Sequence, residues 1–288
     1  MKVIAIDMDG TLLGNVHEVT AENAKAVKEA QQLGVNVVIA TGRDEKEARS
    51  PLKQAGIICP TITVNGAQVR DEDGNVLSSY PLLKEKTRHV FDVLLTNDIY
   101  FELYTNHGTV TDNYDKAIQA IIDFFHAANP AQDINTMQQF AKERFETGAI
   151  SLVASYDELL EQEDTEILKV LAFSKDEEKL SKTRAQLHDI DGLAVSASAP
   201  DNIEITHKQA QKGLAVTAFA ERLGISMDEV MVIGDSFNDV SMFKVAGYKV
   251  AMGNAEQAIK DLADFISKSN DEDGVAFAIR QKLSHMSR

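Results

Sequence analysis

Apolar residues fall in short blocks along this chain, and blocks of strand length alternate with longer stretches of helical spacing. Residues 3–6, Val-Ile-Ala-Ile, are too few and too β-branched for a helix, and they predict a strand buried on both faces. Between 21 and 33 apolar residues stand at Ala26, Val27, Ala30 and Leu33, which is helical spacing, and Gly34 marks the stop. A second buried strand over 35–40, a charged helix to about Leu52 and a third strand over 61–64 follow. Residues 68–80, centred on Asp73-Gly74-Asn75, predict a β-hairpin. Strand, helix, strand, helix, strand is the order of a parallel sheet with crossover helices.

The middle of the chain changes character. From about 82 to 205 the pattern gives a helix at 84–96, strands at 100–104 and 108–111, and a helix at 114–127. Past Asn129-Pro130 it weakens until a strand at 149–154 and a short helix at 157–162. A strand at 167–174, a helix at 176–188 and strands at 193–196 and 202–205 complete it. Regular alternation then returns: helix 212–223, strand 230–233, helix 239–245, strand 250–252, helix 256–262, strand 265–267 and a last helix from Gly274. The sequence has no internal repeat, low-complexity tract or Pro/Gly-rich linker. An insertion into one α/β domain therefore explains the change better than two domains in tandem. The expected core is 1–81 with 206–288, and the expected insert is 82–205.

Composition narrows the function. At 288 residues, 44% hydrophobic and 26% charged, the chain is ordinary for a soluble globular protein. Its 45 acidic against 29 basic residues, a net charge of −16, argue against a nucleic-acid polymer as partner. Small anionic substrates remain open, provided that their charge is met locally by a metal, a few cations or helix N-termini. The single cysteine, Cys59, excludes an intrachain disulfide and a thiolate metal cluster. Its neighbours Ile57, Ile58 and Pro60 predict a buried structural thiol. No apolar stretch approaches the ~18 residues of a membrane span. The N-terminal run is broken by Asp7 and lacks a cleavage site, so the expected location is the cytoplasm.

Candidate chemistry sits where strands end. The first strand runs into Asp7-Met8-Asp9-Gly10-Thr11, at the carboxyl edge where open α/β sheets bind ligands. Alternation sends Asp7 and Asp9 to the same side while the chain stays extended, and Gly10 permits it to turn away. Two carboxylates that close require a cation between them or a retained proton. Taken alone, the fragment also reads as a strand with an Asp-Gly turn. The strand at 230–233 ends in Gly234-Asp235-Ser236-Phe237-Asn238-Asp239, so acids gather again. Asp7, Asp9, Asp235 and Asp239 make a set suited to Mg²⁺, a hard cation held by carboxylates, substrate phosphate and water. Asp239 reads equally as a helix N-cap, and the two roles are compatible. Thr41-Gly42 offers a hydroxyl and backbone N–H groups ahead of a helix, either an anion site or a capped turn. Lys212-Gly213 opens a helix, where a lysine opposes the dipole. Lys208 is its rival, and the adjacent glycine and helix start favour Lys212.

Together, Asp7-Met8-Asp9-Gly10-Thr11-Leu12-Leu13, Thr41-Gly42-Arg43, Lys212-Gly213 and Gly234-Asp235-Ser236-Phe237-Asn238-Asp239 resemble the four ordered motifs of the haloacid dehalogenase superfamily. The likeness is strongest to its Cof-type (subclass IIB) phosphatases, which carry a large cap between the second and third motifs. Val250-Ala251-Met252-Gly253-Asn254-Ala255 and Asn270-Asp271-Glu272-Asp273-Gly274-Val275 resemble that group too. One departure is Ala210-Gln211 ahead of Lys212, where the family usually has Gly and a small polar residue. The resemblance implies a doubly wound, Rossmannoid parallel-sheet core with an inserted α+β cap. It implies a Mg²⁺-dependent phosphatase of small phosphorylated metabolites such as sugar phosphates, nucleotides or phosphorylated cofactors.

By the same resemblance Asp7 is the nucleophile that forms an aspartyl-phosphate, and Asp9 is the general acid and base. Mg²⁺ falls to Asp7, the backbone carbonyl of Asp9 and Asp235, with Asp239 in support. The phosphoryl oxygens fall to the Met8 N–H, Thr41, Gly42, Lys212 and Asn238. Two other functions use the same residues: a phosphomutase or phosphotransferase working through the phosphoaspartate, and a receiver-like module that is no enzyme. Asp9 speaks against the receiver, since a module that must keep its phosphate has no use for an acid/base beside it.

Overall fold

The computed structural model describes residues 1–128, 133–197 and 201–286. The chain divides into two compact units, Met1–Ser79 with Gln209–Arg288, and Tyr80–Lys208. It begins in the first unit with β1 (Val3–Ile6), α1 (Ala21–Gln32), β2 (Asn36–Ala40), α2 (Glu45–Gln54), β3 (Thr61–Thr63), β4 (Gln68–Arg70) and β5 (Val76–Ser79). The second unit then holds α3 (Lys84–Thr96), β6 (Tyr100–Thr105), β7 (Gly108–Thr111), α4 (Tyr114–Ala128), α5 (Ile134–Glu146), β8 (Ile150–Leu152), α6 (Tyr156–Glu161), β9 (Ile167–Phe173), α7 (Glu177–His188), β10 (Leu193–Ser196) and β11 (Asn202–His207). Back in the first unit lie α8 (Lys212–Arg222), β12 (Val230–Gly234), α9 (Val240–Val245), β13 (Tyr248–Ala251), α10 (Gln257–Lys260), β14 (Phe265–Ile266) and α11 (Gly274–Met286).

The sheet of the first unit has the order β14-β13-β12-β1-β2-β3-β4-β5. Its pairs are parallel from β14 to β3, and β4 and β5 add an antiparallel hairpin at one edge. Every side chain of β1 is buried, as expected of a central strand with both faces covered. Strand order reverses at β1: β2 and β3 follow on one side, β12 and β13 on the other. In a doubly wound sheet that switch point opens a crevice at the strands' carboxyl ends. Two helices of this unit start where the sequence supplies a side-chain cap. Thr20 accepts from the Asn23 N–H at the head of α1, and Asp44 accepts from the Glu47 N–H at the head of α2, each satisfying a donor that lacks a helical partner.

In the second unit the sheet order is β10-β11-β9-β6-β7-β8. Its pairs are antiparallel except for β7 with β8. Ile203, Ile205, Val170, Ala172, Phe101 and Leu103 of its strands join Val90, Phe91, Leu94, Leu180 and Leu187 of α3 and α7 in one apolar core. Glu102, Lys169, Asn202, Glu204 and Thr206, at alternate strand positions, are polar yet buried. There Lys169 Nζ lies 3.6 Å from Glu204 and 3.9 Å from the centre of the Tyr104 ring.

Helix α5 is an addition to the sequence reading. Only Met137 and Ala141 of it are buried, while Ile134 and Phe140 are exposed. A two-residue stripe among Gln, Glu, Lys and Arg is too narrow to register as an amphipathic period. The break read at Asn129-Pro130 lies outside the described residues. Cys59 is buried, and burial pushes its thiol up to about 12, in keeping with an inert structural role. No described helix is long and apolar enough to cross a membrane.

Candidate active site

Register brings the two acidic strand ends together. β1 pairs with β12 with Ile6 opposite Ile233, and the Asp7 N–H donates to the Ile233 carbonyl at 2.9 Å. Asp7 and Asp235 therefore leave the sheet side by side. Carboxylate oxygens of Asp7, Asp235 and Asp239 all lie within 4.8 Å of one another. Lys212, first residue of α8 and fully buried, donates from Nζ to Asp7 Oδ1 at 2.5 Å and to Asp239 Oδ1 at 2.7 Å. The other Asp239 oxygen accepts from the Asp235 N–H at 3.0 Å and the Ser236 N–H at 3.2 Å. Asp239 thus serves as a cap, but by reaching back to the strand end rather than forward into α9. Thr11 Oγ1 donates to Asp235 Oδ1 at 2.8 Å.

One ammonium shared between two carboxylates leaves this cluster short of positive charge. Burial first, then the neighbouring Asp239, push Asp7 well above the usual carboxylate range, although Lys212 opposes the shift. The same two causes push Asp235 up to about 6. Burial pulls Lys212 down, but Asp239 and Asp7 outweigh it, and its pKa is raised. An all-oxygen set with uncompensated negative charge suits a hard divalent cation, and Mg²⁺ is held by one or two carboxylates with its remaining positions open. Of the three acids, Asp7 and Asp235 fit direct contact; both Asp239 oxygens are already engaged.

The neighbouring strand ends add polar groups. Thr41 is buried at the end of β2, its N–H on the Ile62 carbonyl at 2.8 Å and its Oγ1 accepting from the Arg43 N–H at 3.2 Å. A Cβ on Gly42 would stand 3.1 Å from Asn65 Oδ1 and 3.8 Å from Asn238 Nδ2, so these three residues are neighbours. Asn238 Nδ2 donates to Asn65 Oδ1 at 3.3 Å, and its own Oδ1 accepts from Ser236 Oγ at 2.7 Å. Met8 is buried directly after Asp7, its carbonyl accepting from the Leu13 N–H at 2.9 Å.

Asp9 is placed differently. The backbone stays extended through Asp9 (φ −78°, ψ 127°) and turns at Gly10 (φ 72°). The Asp9 carboxylate is half-exposed and takes a two-pronged contact from Arg43, Nε to Oδ2 at 2.8 Å and Nη2 to Oδ1 at 2.6 Å. The exposed His17 imidazole lies 4.0 Å away. The carboxylate is thus bound to Arg43 instead of joining the Asp7–Asp235–Asp239 group. Lys208, the rival lysine, belongs to the second unit and pairs with Asp191 at 3.5 Å.

Sequence reasoning gave no role to Arg43, Thr11 or Asn65. The first two stood inside quoted motifs, and Asn65 stood at a strand end, yet only coordinates show what each touches. The same holds for the asparagines that pin the 8–13 loop. Asn254 donates to the Gly10 carbonyl at 2.8 Å, Asn270 to that of Leu13 at 3.0 Å and Asn23 to that of Leu12 at 3.3 Å.

Comparison with known proteins bears on the family of the whole chain. The profile of a family described as haloacid dehalogenase-like hydrolase matches residues 4–279. Phosphatase YwpJ of Bacillus subtilis is 34% identical over 285 residues, covering 98% of this chain and 100% of its own. The 5-amino-6-(5-phospho-D-ribitylamino)uracil phosphatase YwtE of the same organism is 36% identical over 285 residues, with 99% of each chain covered. A solved haloacid dehalogenase-like hydrolase from B. subtilis superposes with a TM-score of 0.87 at 34% identity, over 97% of this chain and 99% of that one.

Proposed function

Because this chain belongs to the haloacid dehalogenase-like hydrolases, we propose that it is a Mg²⁺-dependent phosphatase of small phosphorylated metabolites, acting through an aspartyl-phosphate. The observation that carries this reading is the buried Asp7 carboxylate at the switch point, 2.5 Å from Lys212 Nζ and grouped with Asp235 and Asp239. The relatives named for phosphatase activity, one of them toward a phosphorylated ribityl compound, support the reaction and the substrate class.

In this reading Asp7 attacks phosphorus, the ester P–O bond breaks, and Asp9 gives its proton to the departing oxygen. Water then attacks the phosphoaspartate, Asp9 takes the water's proton, and the bond from phosphorus to Asp7 breaks to release phosphate. Asp7 and Asp235, with the Asp9 backbone carbonyl, would hold Mg²⁺, which supplies positive charge for the phosphoryl oxygens and the nucleophile. Asp239 keeps Lys212 and the 235–236 backbone in place. Lys212, Thr41, Gly42, Asn238 and the Met8 N–H bind the phosphoryl oxygens. Such neutralisation is required because an anion must approach an anion. Two unit charges at ~4 Å repel by roughly 4 kcal/mol at an effective dielectric of 20, about a thousandfold in rate.

The direct test is Asp7→Asn, which keeps the shape of the side chain and removes the nucleophile. The variant is expected to remain folded by circular dichroism and to release no phosphate from p-nitrophenyl phosphate in the presence of Mg²⁺. Near-normal turnover by Asp7→Asn would overturn the proposal.

A further inference from the structure

Asp9 occupies an awkward place for a group that must meet a leaving oxygen within hydrogen-bond reach. Its side chain is half-exposed, and it stands one residue before a glycine at φ 72° where the chain turns. A carboxylate in water on such a segment has several rotamers open to it, and most of them point away from any given acceptor. Arg43 removes that freedom. β1 and β2 are parallel with Ile6 opposite Ile39, so Asp9 and Arg43 leave the sheet beside each other, three and four residues further on. The Arg43 backbone is pinned on both sides, its N–H on Thr41 Oγ1 at 3.2 Å and its carbonyl accepting from the Val64 N–H at 2.9 Å. Its side chain is mostly covered, at 21% exposure. From that base the planar fork meets both Asp9 oxygens, a geometry that a lysine ammonium does not reproduce. Each oxygen of a carboxylate has two lone-pair positions. A fork that takes one on each fixes the direction of the group and leaves the second position on each oxygen clear of Arg43.

We infer that Arg43 is the positioning residue for Asp9, holding the acid/base carboxylate aimed for proton transfer while touching neither nucleophile nor metal itself. The inference rests on the acid/base role given to Asp9 above. It ties the residue after Thr41-Gly42 to proton transfer rather than to phosphate binding.

The test uses full-length protein with Mg²⁺ and two aryl esters that differ in need of a proton. p-Nitrophenolate leaves phosphorus readily unprotonated, whereas phenolate is a poorer leaving group and gains more from acid catalysis. Arg43→Met is expected to lower kcat/KM for phenyl phosphate by about 30-fold, within the range of a misaimed acid catalyst. For p-nitrophenyl phosphate the expected loss is less than about threefold, because little proton transfer is needed. In an Asp9→Asn background the further change Arg43→Met should cost nothing, since it acts through a group already removed. Equal losses on the two esters, or losses that multiply in the double variant, overturn the inference. Should Arg43→Met fail to fold, Arg43→Lys, which keeps the charge and loses the fork, decides by the same comparison. If Asp9→Asn alone turns over phenyl phosphate normally, the acid/base reading of Asp9 fails first, and the position of Arg43 is not what failed.

Discussion

Asp235 shows what the acidic cluster costs on its own. Its carboxyl is raised from an ordinary 3.8 to about 6, through burial and the nearby Asp239, and Asp7 is shifted the same way. A carboxyl raised in the folded state contributes stability that is full below its unfolded pKa and is lost as pH rises through its folded one. Without metal, the fold therefore bears the ionised cluster at neutral pH and is relieved of it near pH 5. Mg²⁺ should accordingly raise the Tm more at about pH 7.5 than at about pH 5, where protons already neutralise part of the site. Each pKa unit is worth about 1.4 kcal/mol, and at about 2–4 °C per kcal/mol the difference amounts to several degrees. Thermal scans with Mg²⁺ and with a chelator at the two pH values measure it directly. A Mg²⁺ shift equal at both, or larger at the acid pH, would remove the carboxylates from the metal site. The residue scale also marks where sequence reading stopped. Asp7 and Asp235 were legible because each ends an apolar run, whereas the turn of Asp9 toward Arg43 depends on a backbone path that no pattern encodes.

At the scale of elements, one glycine decides whether Lys212 reaches the carboxylates. A Cβ on Gly213 would fall 2.1 Å from the Ser241 carbonyl oxygen and 2.4 Å from its carbon. The first turn of α8 and the start of α9 touch backbone to backbone there, and the Gly213 N–H donates to Ser241 Oγ at 3.0 Å. That contact sets Lys212 beside Asp239, which α9 follows directly. Gly213→Ala gains roughly 1 kcal/mol of helix propensity but forces two main chains apart, an overpacking cost of about 1–3 kcal/mol or more. The clash should win, because no flexible side chain can yield. Expected results are a Tm lower by a few degrees and a loss of phosphatase activity of about tenfold or greater as Lys212 is drawn off Asp7. An unchanged Tm and rate would mean that the two helices are free to separate. The lysine-glycine pair was visible in the sequence as a helix start, but its meaning lay in a helix 28 residues later. β1, an unbroken apolar run, and α1, with a clear helical period, were legible from their own residues. α5, with two buried positions, was not, because its burial depends on partners and not on its own pattern.

Across the whole molecule, the residues proposed for the chemistry and the inserted residues fall in different units. Asp7, Met8, Asp9, Thr41, Gly42, Lys212, Asp235, Asn238 and Asp239 all belong to the unit formed by Met1–Ser79 and Gln209–Arg288. Each strand of that unit finds its ladder partners within it, from β14 through to β5, and its apolar core is drawn from the same two segments. The second unit has a sheet and an apolar core of its own. We propose that the inserted unit acts as a cap that selects the leaving group, with binding energy from the remote part of the substrate spent on selection. Two results follow if residues 80–208 are replaced by a short linker. The remaining core should fold, since none of its strands loses a partner, and Mg²⁺ should still raise its Tm. It should also hydrolyse p-nitrophenyl phosphate, whose leaving group needs no recognition, while its ranking of phosphorylated metabolites flattens relative to the intact chain. A folded, Mg²⁺-binding core that keeps the intact ranking would place selectivity in the first unit. A folded core that binds Mg²⁺ yet cannot hydrolyse the aryl ester would mean that the insert supplies a group the chemistry itself requires.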